Sequence, residues 1–361
     1  MKYNIKITKT QKSRLSEVDF DNIPFGRVFS DHMFVADYHN GEWTNPRIEP
    51  FGRFSIHPAA MALHYGQSIF EGMKASKSFE GKPLFFRPEM HARRFNNSAR
   101  RMCMPDVPEA LFLEALHALI ALDSEWIPPQ EGSALYIRPY MFANDEFIGV
   151  KPSENYRFII FTGPVGPYYP KPVSLIAEQE YVRCAIQGGT GEAKVAGNYA
   201  ASLLPARKAN EKGYDQVMWL DANEFKYVQE VGTMNIFFVI DGTVVTPSLN
   251  GGILPGITRD SILAIFREKG YRVEERDISI DELMEAYDAG KLDEAFGSGT
   301  AAVVAHVSKI AIGGKVMELP PVEKRKLGEM AKMEINGLRS GKIEDTHGWI
   351  VPVKHIEAVN V

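Results

Sequence analysis

The strongest constraint on the fold of this chain is a run of short apolar segments that follow one another at tight turns. Four such segments predict strands, at residues 215–220, 225–230, 235–240 and 244–246. The last two are joined by Asp241-Gly242, a dipeptide that is typical of β-hairpins. Because hairpins dominate and strand–helix–strand alternation is absent, the sequence predicts an α+β fold with mostly antiparallel or mixed sheets and flanking helices. A doubly wound nucleotide-binding fold is not expected.

A proline-rich stretch divides the chain. Residues 163–172 contain four prolines and two glycines, so this stretch is not expected to continue a helix or a central strand. A chain of 361 residues is long enough to bury two cores. We therefore predict a smaller α+β domain at 1–170, a proline-rich linker at 171–180 and a larger domain at 181–361.

Helical patterns lie on both sides of this boundary. Proline at a first helical turn and apolar residues at helical spacing predict helices at 88–101, 108–122, 258–269 and 280–289. Ser279 and Glu282 have the spacing of a capping box at the start of the last helix. Further strands are predicted on either side of a turn at 75–83, and at 134–138 and 157–161.

Composition excludes several classes of protein. The 41 Lys and Arg residues are outnumbered by 46 Asp and Glu residues, which disfavours a surface that tracks nucleic acid. No apolar run approaches the roughly 20 residues that a membrane helix needs. The basic start of the chain could belong to a transit peptide, but the alternation in Tyr3–Thr8 favours an edge strand. We expect a cytoplasmic protein in which Cys103 and Cys184 are buried, reduced thiols.

The segment most suggestive of chemistry is Gly188-Gly-Thr-Gly-Glu-Ala-Lys194-Val-Ala-Gly-Asn-Tyr199. Its four glycines indicate backbone that turns sharply or approaches a ligand closely. The order of a phosphate-binding P-loop is absent, since Lys194 lies between Ala193 and Val195. A lysine here could be an ordinary solvated loop residue. It could also attack a carbonyl as a neutral amine and carry a proton between two carbons, which is chemistry that pyridoxal phosphate supports.

That chemistry needs a carboxylate for the ring nitrogen and a binding site for the phosphate. Glu230, at the end of an apolar strand, is the candidate carboxylate, although such an acid is often a solvated turn residue. The helix start at 254–258 and the turn at 297–301 offer backbone amides and hydroxyls to a phosphate. The predicted helix 88–101 is rich in arginine and could add a guanidinium. We expect no metal site.

Taken together, these segments resemble those of the branched-chain-amino-acid aminotransferases, which are fold-type IV pyridoxal-phosphate enzymes. Eight markers occur in the order and spacing of that family: LHYGQSIFEGMKA (63–75), LFFRPEMHARRFNNSA (84–99), ALYIRP (134–139), GPVGPYY (163–169), GGTGEAKVAGNYA (188–200), EVGTMNIFFV (230–239), GGILPGITRD (251–260) and GSGTAA (297–302). The resemblance implies a two-domain fold similar to that of D-amino-acid aminotransferase, with the larger domain, 181–361, carrying the Schiff-base lysine and binding the cofactor at the domain interface. It also implies a homodimer that completes each active site.

The resemblance assigns roles to individual residues. Lys194 would be the catalytic residue, forming the internal aldimine and moving the proton. The cofactor would be held by Arg94, Lys194, Tyr199, Glu230, Ile257, Thr258 and Thr300. The substrate would be bound by Tyr65, Phe70, Tyr136, Arg138, Tyr168, Thr300 and Ala301. Among these, Arg138 would receive the distal carboxylate of glutamate, whereas Tyr65, Phe70 and Tyr168 would surround a branched aliphatic side chain.

The implied reaction is a ping-pong transfer of the amino group between leucine, isoleucine or valine and 2-oxoglutarate. A D-amino-acid transaminase or an aminodeoxychorismate lyase would share the fold, and a non-catalytic binding protein could have kept it. The sequence departs from some family members in having Ala302-Val-Val-Ala-His306 where they carry a redox Cys-x-x-Cys. Pro205 is also expected to kink or delay the helix after Tyr199.

Overall fold

The computed structural model describes residues 3–166, 171–184 and 186–354. The α-helices in this part of the chain are α1 (Met61–Tyr65), α2 (Pro88–Arg101), α3 (Glu109–Leu122), α4 (Ala196–Ala200), α5 (Leu203–Glu211), α6 (Ile257–Glu268), α7 (Ile280–Asp288) and α8 (Leu327–Arg339). The strands are β1 (Lys6–Ile7), β2 (His32–His39), β3 (Glu42–Pro50), β4 (Ser68–Phe70), β5 (Met73–Lys77), β6 (Pro83–Phe86), β7 (Ala134–Ala143), β8 (Tyr156–Val165), β9 (Val173–Ala177), β10 (Gln216–Leu220), β11 (Val228–Val231), β12 (Asn235–Ile240), β13 (Thr243–Thr246), β14 (Val273–Glu275), β15 (Leu292–Gly299), β16 (Val303–Ile312), β17 (Lys315–Glu318) and β18 (Ile350–Pro352).

The chain forms two compact units. Unit 1 comprises Met1–Tyr168, Ala193–Ala196 and Gly337–Val361, and unit 2 comprises Tyr169–Glu192 and Gly197–Asn336. Lys194 therefore belongs with the N-terminal unit. None of the helices in the described residues has both the length and the apolar character needed to cross a bilayer.

Unit 1 is built on a mixed sheet in the order β1-β3-β2-β8-β7-β5-β6-β18, with β4 as a further partner of β7. In β7, Leu135 and Ile137 point into the core, whereas Tyr136 and Arg138 lie on the opposite face. Helices α2 and α3 cover the core side. There the ring of Phe158 contacts aromatic rings of both helices.

Unit 2 has a second mixed sheet in the order β11-β10-β9-β16-β15-β12-β13-β14, with β17 paired to β16. The predicted hairpin between β12 and β13 is present. Asp241 and Gly242 both have positive φ, 50° and 72°, as the tight turn requires. At the start of α7, the Ser279 hydroxyl accepts from the N–H of Glu282 at 3.0 Å, as the capping spacing predicted. The Glu282 carboxylate accepts a hydrogen bond from Arg276, so it does not complete the capping box with the N–H of Ser279.

The structure bears on three local predictions, which concern Pro164, the two cysteines and Pro205. The stretch beginning at Gly163 was expected to end any central strand, but β8 continues to Val165, and Pro164 lies opposite Leu135 of β7. Proline is tolerated there because β2 pairs with β8 only as far as Phe161. Cys103 is exposed and Cys184 is half-buried, so the prediction that both cysteines are buried was wrong for Cys103 and holds only in part for Cys184. The helix after Tyr199 is interrupted as expected, and Pro205 falls in the first turn of α5, where its missing N–H costs little.

Candidate active site

Lys194 is fixed through its backbone by two elements of unit 1. Its N–H donates to the Ser98 hydroxyl of α2 at 2.9 Å, and its carbonyl accepts from the N–H of Phe70 at 3.0 Å. Val195 continues the contact as a bridge to Ile69. Helix α2 and strand β4 therefore determine where the side chain of Lys194 begins.

The aromatic ring of Phe70 is shared by two cationic side chains. The Nζ of Lys194 and the guanidinium carbon of Arg138 each lie 4.5 Å from the ring centroid. Cation–π attraction at this distance stabilises an ammonium and a guanidinium near the same ring. The sequence-predicted residues Lys194, Phe70 and Arg138 are thus brought together.

Arg94 lies one turn before Ser98 on α2 and is held by a fully buried carboxylate. Its Nε and Nη2 donate to the two oxygens of Glu71, at 2.6 and 2.9 Å. The Nδ1 of His91 also contacts Glu71, at 2.9 Å. Burial alone would raise the pKa of Glu71, but Arg94 and then His91 outweigh it and hold this pKa well below its usual range. The guanidinium orientation is fixed by a bidentate pair.

Tyr136 and Arg138 form a second polar group on the same face of β7. The Nη2 of Arg138 donates to the Tyr136 hydroxyl at 3.0 Å. The Nε of Arg138 is buried and makes no hydrogen bond to the described residues. Gly72 lies directly against Tyr136, because a Cβ built on Gly72 would be 2.3 Å from the hydroxyl. Phe25 packs edge-on against the Tyr136 ring at 5.9 Å. An unpartnered buried N–H beside a hydroxyl suits a carboxylate ligand.

Two of the predicted aromatic residues are not joined to this group by any described contact. Tyr65 ends helix α1 and is 39% exposed. Tyr168 lies outside the described residues.

In unit 2, Glu230 forms a buried ion pair. It lies on β11 opposite Trp219, and the Nη1 of Arg183 donates to its Oε2 at 2.7 Å. Burial opposes the charged form of Arg183, but the Glu230 carboxylate outweighs this and raises the pKa of Arg183. The guanidinium of Arg183 also lies over the Tyr199 ring, 5.0 Å from its centroid. Glu230 and Tyr199, both predicted site residues, are therefore connected by an arginine that the sequence reasoning missed.

The start of helix α6 approaches the same carboxylate. The Asn235 amide donates to the Leu254 carbonyl at 2.9 Å and lies 3.5 Å from the Oε1 of Glu230. Gly256 is the N-cap of α6 and contributes no side-chain cap. A side chain at this position would collide with Asn235, because a Cβ built on Gly256 would lie 2.0 Å from the Asn235 Oδ1. The first-turn N–H groups of any helix lack intrahelical partners, so the helix begun by Ile257 and Thr258 can bind an anion.

The turn after β15 carries Thr300 and Ala301. Ser298, opposite Asn235 on the neighbouring strand, has a buried hydroxyl that makes no hydrogen bond within the described part of the chain. A buried hydroxyl in that state needs a ligand or ordered water. The Ser298 hydroxyl and the uncapped start of α6 are donors of the kind that bind a phosphate.

The glycine-rich segment before Lys194 is closely packed, as its composition predicted. A Cβ on Gly191 would lie 2.1 Å from the carbonyl oxygen of Gly252 and 2.8 Å from that of Cys184. The Asn198 side chain ties the segment to α4 by donating to the Thr190 carbonyl at 2.8 Å and accepting from its hydroxyl at 2.7 Å. Burial raises the pKa of Cys184 to about 11, so this thiol stays protonated.

Comparison with known proteins identifies the family. The model of the family described as Amino-transferase class IV matches residues 68–310. Branched-chain-amino-acid aminotransferase 2 of Bacillus subtilis (strain 168) is 46% identical over 353 residues, which cover 97% of this chain and 96% of that protein. The chain belongs to the class IV aminotransferases, among the branched-chain-amino-acid aminotransferases.

Solved structures agree with this assignment. The crystal structure of the Escherichia coli branched-chain amino acid aminotransferase superposes with a TM-score of 0.73 at 30% identity, covering 90% of this chain and 99% of that one. The T.th. branched-chain amino acid aminotransferase in complex with N-(5'-phosphopyridoxyl)-L-glutamate gives a TM-score of 0.70 at 29% identity, covering 88% and 98%. The fold-type IV α+β fold and the identification as a transaminase are thereby confirmed.

The residues of this aminotransferase fit pyridoxal phosphate, the cofactor predicted from the resemblance. Unit 2 offers a buried carboxylate, an orphaned hydroxyl at Ser298 and an uncapped helix start. Unit 1 offers a lysine and an arginine whose guanidinium orientation is fixed. This cofactor needs three kinds of group, namely a basic group for its phosphate, an acid for its pyridine nitrogen and an amine.

Several residues that support these groups were not singled out from the sequence: Phe25, Glu71, His91, Ser98, Arg183 and Asn235. Glu71, His91, Ser98 and Asn235 lie inside the motifs that carried the resemblance, so position within a motif was the available signal. Phe25 and Arg183 lie outside those motifs and became visible only through their contacts.

Proposed function

We propose that this aminotransferase catalyses reversible transfer of an amino group between branched-chain L-amino acids (leucine, isoleucine and valine) and 2-oxoglutarate. The cofactor is pyridoxal phosphate, which supplies an electron sink and carries the amino group between half-reactions. The observation that carries the proposal is the convergence of Lys194 and Arg138 on the ring of Phe70. This arrangement combines an amine for proton transfer, a cation for a distal carboxylate and an apolar surface.

Lys194 is proposed as the catalytic residue, accepting and returning the proton of the substrate α-carbon at its Nζ. Its backbone is fixed at both N–H and carbonyl, so the side chain starts from a defined position. Proton transfer by a positioned amine contributes roughly 10²–10⁴-fold to a rate. The ring of Phe70 lies against the Nζ and shields one side of it from water.

The proposed cofactor ligands each have a distinct task. Glu230 would bind the pyridine nitrogen and keep it protonated, and the buried Arg183 holds the Glu230 carboxylate in place for that purpose. Tyr199 would donate to the phenolic oxygen of the ring. The phosphate would be bound by Arg94, by the helix start at Ile257 and Thr258, and by Thr300.

The substrate is proposed to be bound through its α-carboxylate and its side chain separately. The Tyr136 hydroxyl and the backbone at Thr300 and Ala301 would receive the α-carboxylate. Arg138 would pair with the distal carboxylate of glutamate, since its Nε is buried without a partner among the described residues. Phe70, with Tyr65 and Tyr168, would surround the branched aliphatic side chain.

A substrate panel tests the proposed function. We expect L-leucine, L-isoleucine and L-valine to react with 2-oxoglutarate, and D-alanine to be inert. The fold-sharing alternatives make opposite predictions. Turnover of D-alanine without turnover of L-leucine would support a D-amino-acid transaminase, and release of a product without an amino acceptor would support a lyase. A protein that binds pyridoxal phosphate but turns over none of these compounds would be a binding protein.

We also propose a homodimer, because unit 1 exposes an apolar patch. The patch comprises Leu63 and Tyr65 of α1 and Phe147, Ile148 and Val150 of the loop after β7, with exposures between 39% and 89%. The loop and the start of α1 are joined by backbone hydrogen bonds from Met61 to Asp145 and from Phe147 to Ala59. Exposed apolar patches of this kind mark association surfaces, and its inclusion of Tyr65 supports a second copy as the occupant. Light scattering of wild type and Ile148→Asp tests this, with a dimer expected only for wild type.

The small-molecule substrates and the two unpaired cysteines support a cytoplasmic location. Fractionation of cells that express the protein under its own promoter would test this. We expect the activity in the cytosolic fraction.

A further inference from the structure

An irregular segment near the start of the chain lies against the proposed substrate site. Residues 15–29 consist of turns, bends and one 3-10 turn. Phe25 of this segment packs edge-on against the Tyr136 ring, with 5.9 Å between the centroids. The Val28 carbonyl lies against Gly163, because a Cβ built on Gly163 would be 2.3 Å from its oxygen. Gly163 stands directly opposite Tyr136 in the β7–β8 pairing. The segment therefore covers the strand position to which the substrate α-carboxylate was assigned.

The two ends of this segment are joined by Arg14. Its Nη2 donates to the carbonyl of Ser30 at 2.7 Å and to that of Phe29 at 3.2 Å. Its backbone N–H donates to the Asp31 carboxylate at 3.0 Å, and its Nε lies 3.7 Å from the same oxygen. Residues 15–29 therefore form an Ω loop, which is a compact surface loop of about 6–16 residues whose ends are close together.

Asp31 gives Arg14 a fixed partner. This carboxylate is 6% exposed, and it also accepts from the Ser13 hydroxyl at 2.6 Å and from the Trp126 indole at 3.1 Å. Burial would raise the pKa of Asp31, but the hydrogen bonds from the Arg14 N–H, Ser13 and Trp126 outweigh it and lower this pKa. Arg14 therefore extends from a buried, ionised carboxylate to the far end of the Ω loop.

The Ω loop itself has weak internal bonds. The backbone hydrogen bonds of its two turns, 19–22 and 24–27, each measure 3.3 Å, which is long for an N–H···O contact. Phe25 is 48% exposed, so its burial against Tyr136 is partial. Long hydrogen bonds and exposed side chains give a segment little local stability. We therefore expect the closure by Arg14 to determine how much of the time the loop is in place.

We propose that Arg14 is a positioning residue for substrate binding. By closing the Ω loop it holds Phe25 against Tyr136, and it thereby raises the affinity for the carboxylate that both classes of substrate share. This inference rests on the proposed function, in which the Tyr136 hydroxyl receives that α-carboxylate. A ligand that binds only when the loop is in place is bound more weakly in proportion to the time the loop is displaced. The catalytic amine of Lys194 is held by other elements, so the turnover of bound substrate is not affected.

Binding of 4-methylvaleric acid to the holoenzyme measures this affinity without turnover. The compound has a carboxylate and a branched aliphatic chain but no amino or oxo group that could react. By isothermal titration calorimetry, we expect a Kd for Arg14→Gln about 3–10-fold above that of wild type, which corresponds to an Ω loop displaced for roughly 70–90% of the time. Arg14→Lys keeps a cation without the forked donor and should restore part of the affinity. Lys12→Gln removes an exposed positive charge from the same arm and should bind as wild type does.

Three further measurements separate positioning from a purely structural role. In Arg14→Gln the KM values for L-leucine and for 2-oxoglutarate should rise together by about 3–10-fold, with kcat within about 2-fold of wild type. Trypsin should cut native Arg14→Gln after the exposed Arg27 faster than it cuts wild type, and 4-methylvaleric acid should slow this cut. Phe25→Ala should raise the Kd less in the Arg14→Gln background than in wild type, because both changes act through the same loop.

Two results would overturn the inference. One is a lower Tm in Arg14→Gln as the sole change, with the Kd and both KM values equal to those of wild type, because Arg14 would then be only structural. The other is full additivity of Arg14→Gln and Phe25→Ala, which would show that Arg14 does not act through the loop. If Arg14→Gln does not fold, Arg14→Lys replaces it in each comparison. Failure of the proposed function is distinguishable, since wild type itself would then not turn over L-leucine.

Discussion

The guanidinium of Arg183 donates to the carboxylate of Glu230 at 2.7 Å, and both side chains are more than nine-tenths buried. Burial penalises the charge of both side chains, and the attraction between them offsets part of this cost. The arginine also fixes one of the carboxylate oxygens. The other oxygen faces the Asn235 amide at 3.5 Å. A carboxylate held in this way is suited to a protonated pyridine nitrogen.

Removing the arginine should therefore damage both stability and cofactor binding. Arg183→Met leaves Glu230 buried without this arginine, and we expect a loss of about 3–5 kcal/mol in the free energy of unfolding, measured with urea. Arg207→Met, which breaks an exposed pair with Glu211, should cost less than about 0.5 kcal/mol. Equal losses in the two variants would mean that the buried pair has no special role.

The pair between Glu71 and Arg94 should make stability depend on pH. The pKa of Glu71 is lowered in the folded state, so its contribution to stability is complete above the ordinary value of 4.5 and is lost as the pH falls below it. Glu71→Gln lacks this contribution. We expect the difference in unfolding free energy between wild type and Glu71→Gln to narrow by about 2 kcal/mol between pH 5 and pH 3. A difference that stays constant over this range would contradict the lowered pKa.

Gly72 should be intolerant of a side chain although it has no unusual φ. A methyl group at this position would lie 2.3 Å from the Tyr136 hydroxyl, so Gly72→Ala must displace that ring. Displacing a packed side chain costs about 1–3 kcal/mol, and we expect the KM for both amino-acid and oxo-acid substrates to rise about 10-fold. Gly52→Ala is the control, since its Cβ would meet only one atom at 3.9 Å. An unchanged KM in Gly72→Ala would show that Tyr136 does not contribute to substrate binding.

The elements of the fold could be predicted where the signal is local. Helix α2 begins at Pro88 as expected, the hairpin forms at Asp241, and Ser279 caps α7. Each depends on a few neighbouring residues with a strong conformational preference. The extension of β8 through Pro164 was missed because it depends on where β2 stops pairing, which no local pattern reveals.

The residues of the candidate site also fall into two classes, those that a motif in the sequence indicates and those that only the folded chain brings together. Lys194, Arg94 and Glu230 were predicted as site residues because each lies in a motif that the family shares. Arg183 is 47 residues from Glu230 in sequence, and its segment shows no periodicity or motif. Phe25 lies in an irregular segment and meets Tyr136 only in the folded chain. Such partners follow from packing and charge neutralisation in three dimensions, which a single sequence does not contain.

Arg138 should distinguish the two classes of substrate. Arg138→Gln removes the cation proposed to pair with the distal carboxylate of a dicarboxylate substrate, so we expect kcat/KM for 2-oxoglutarate to fall about 10–100-fold and that for L-leucine to fall less than about 3-fold. Arg157→Gln is the matched control, because Arg157 lies on the adjacent strand β8 and pairs with Asp37. Equal losses for both substrates in Arg138→Gln would make Arg138 a structural residue.

The most direct test of the central claim is the rate of amino transfer from L-leucine to 2-oxoglutarate by Lys194→Ala, measured with saturating pyridoxal phosphate. Without the amine that moves the proton, we expect the rate to fall on the order of 10⁴-fold or more, while Lys212→Ala, at an exposed position, keeps wild-type turnover. Turnover of Lys194→Ala within a few-fold of wild type would contradict the account.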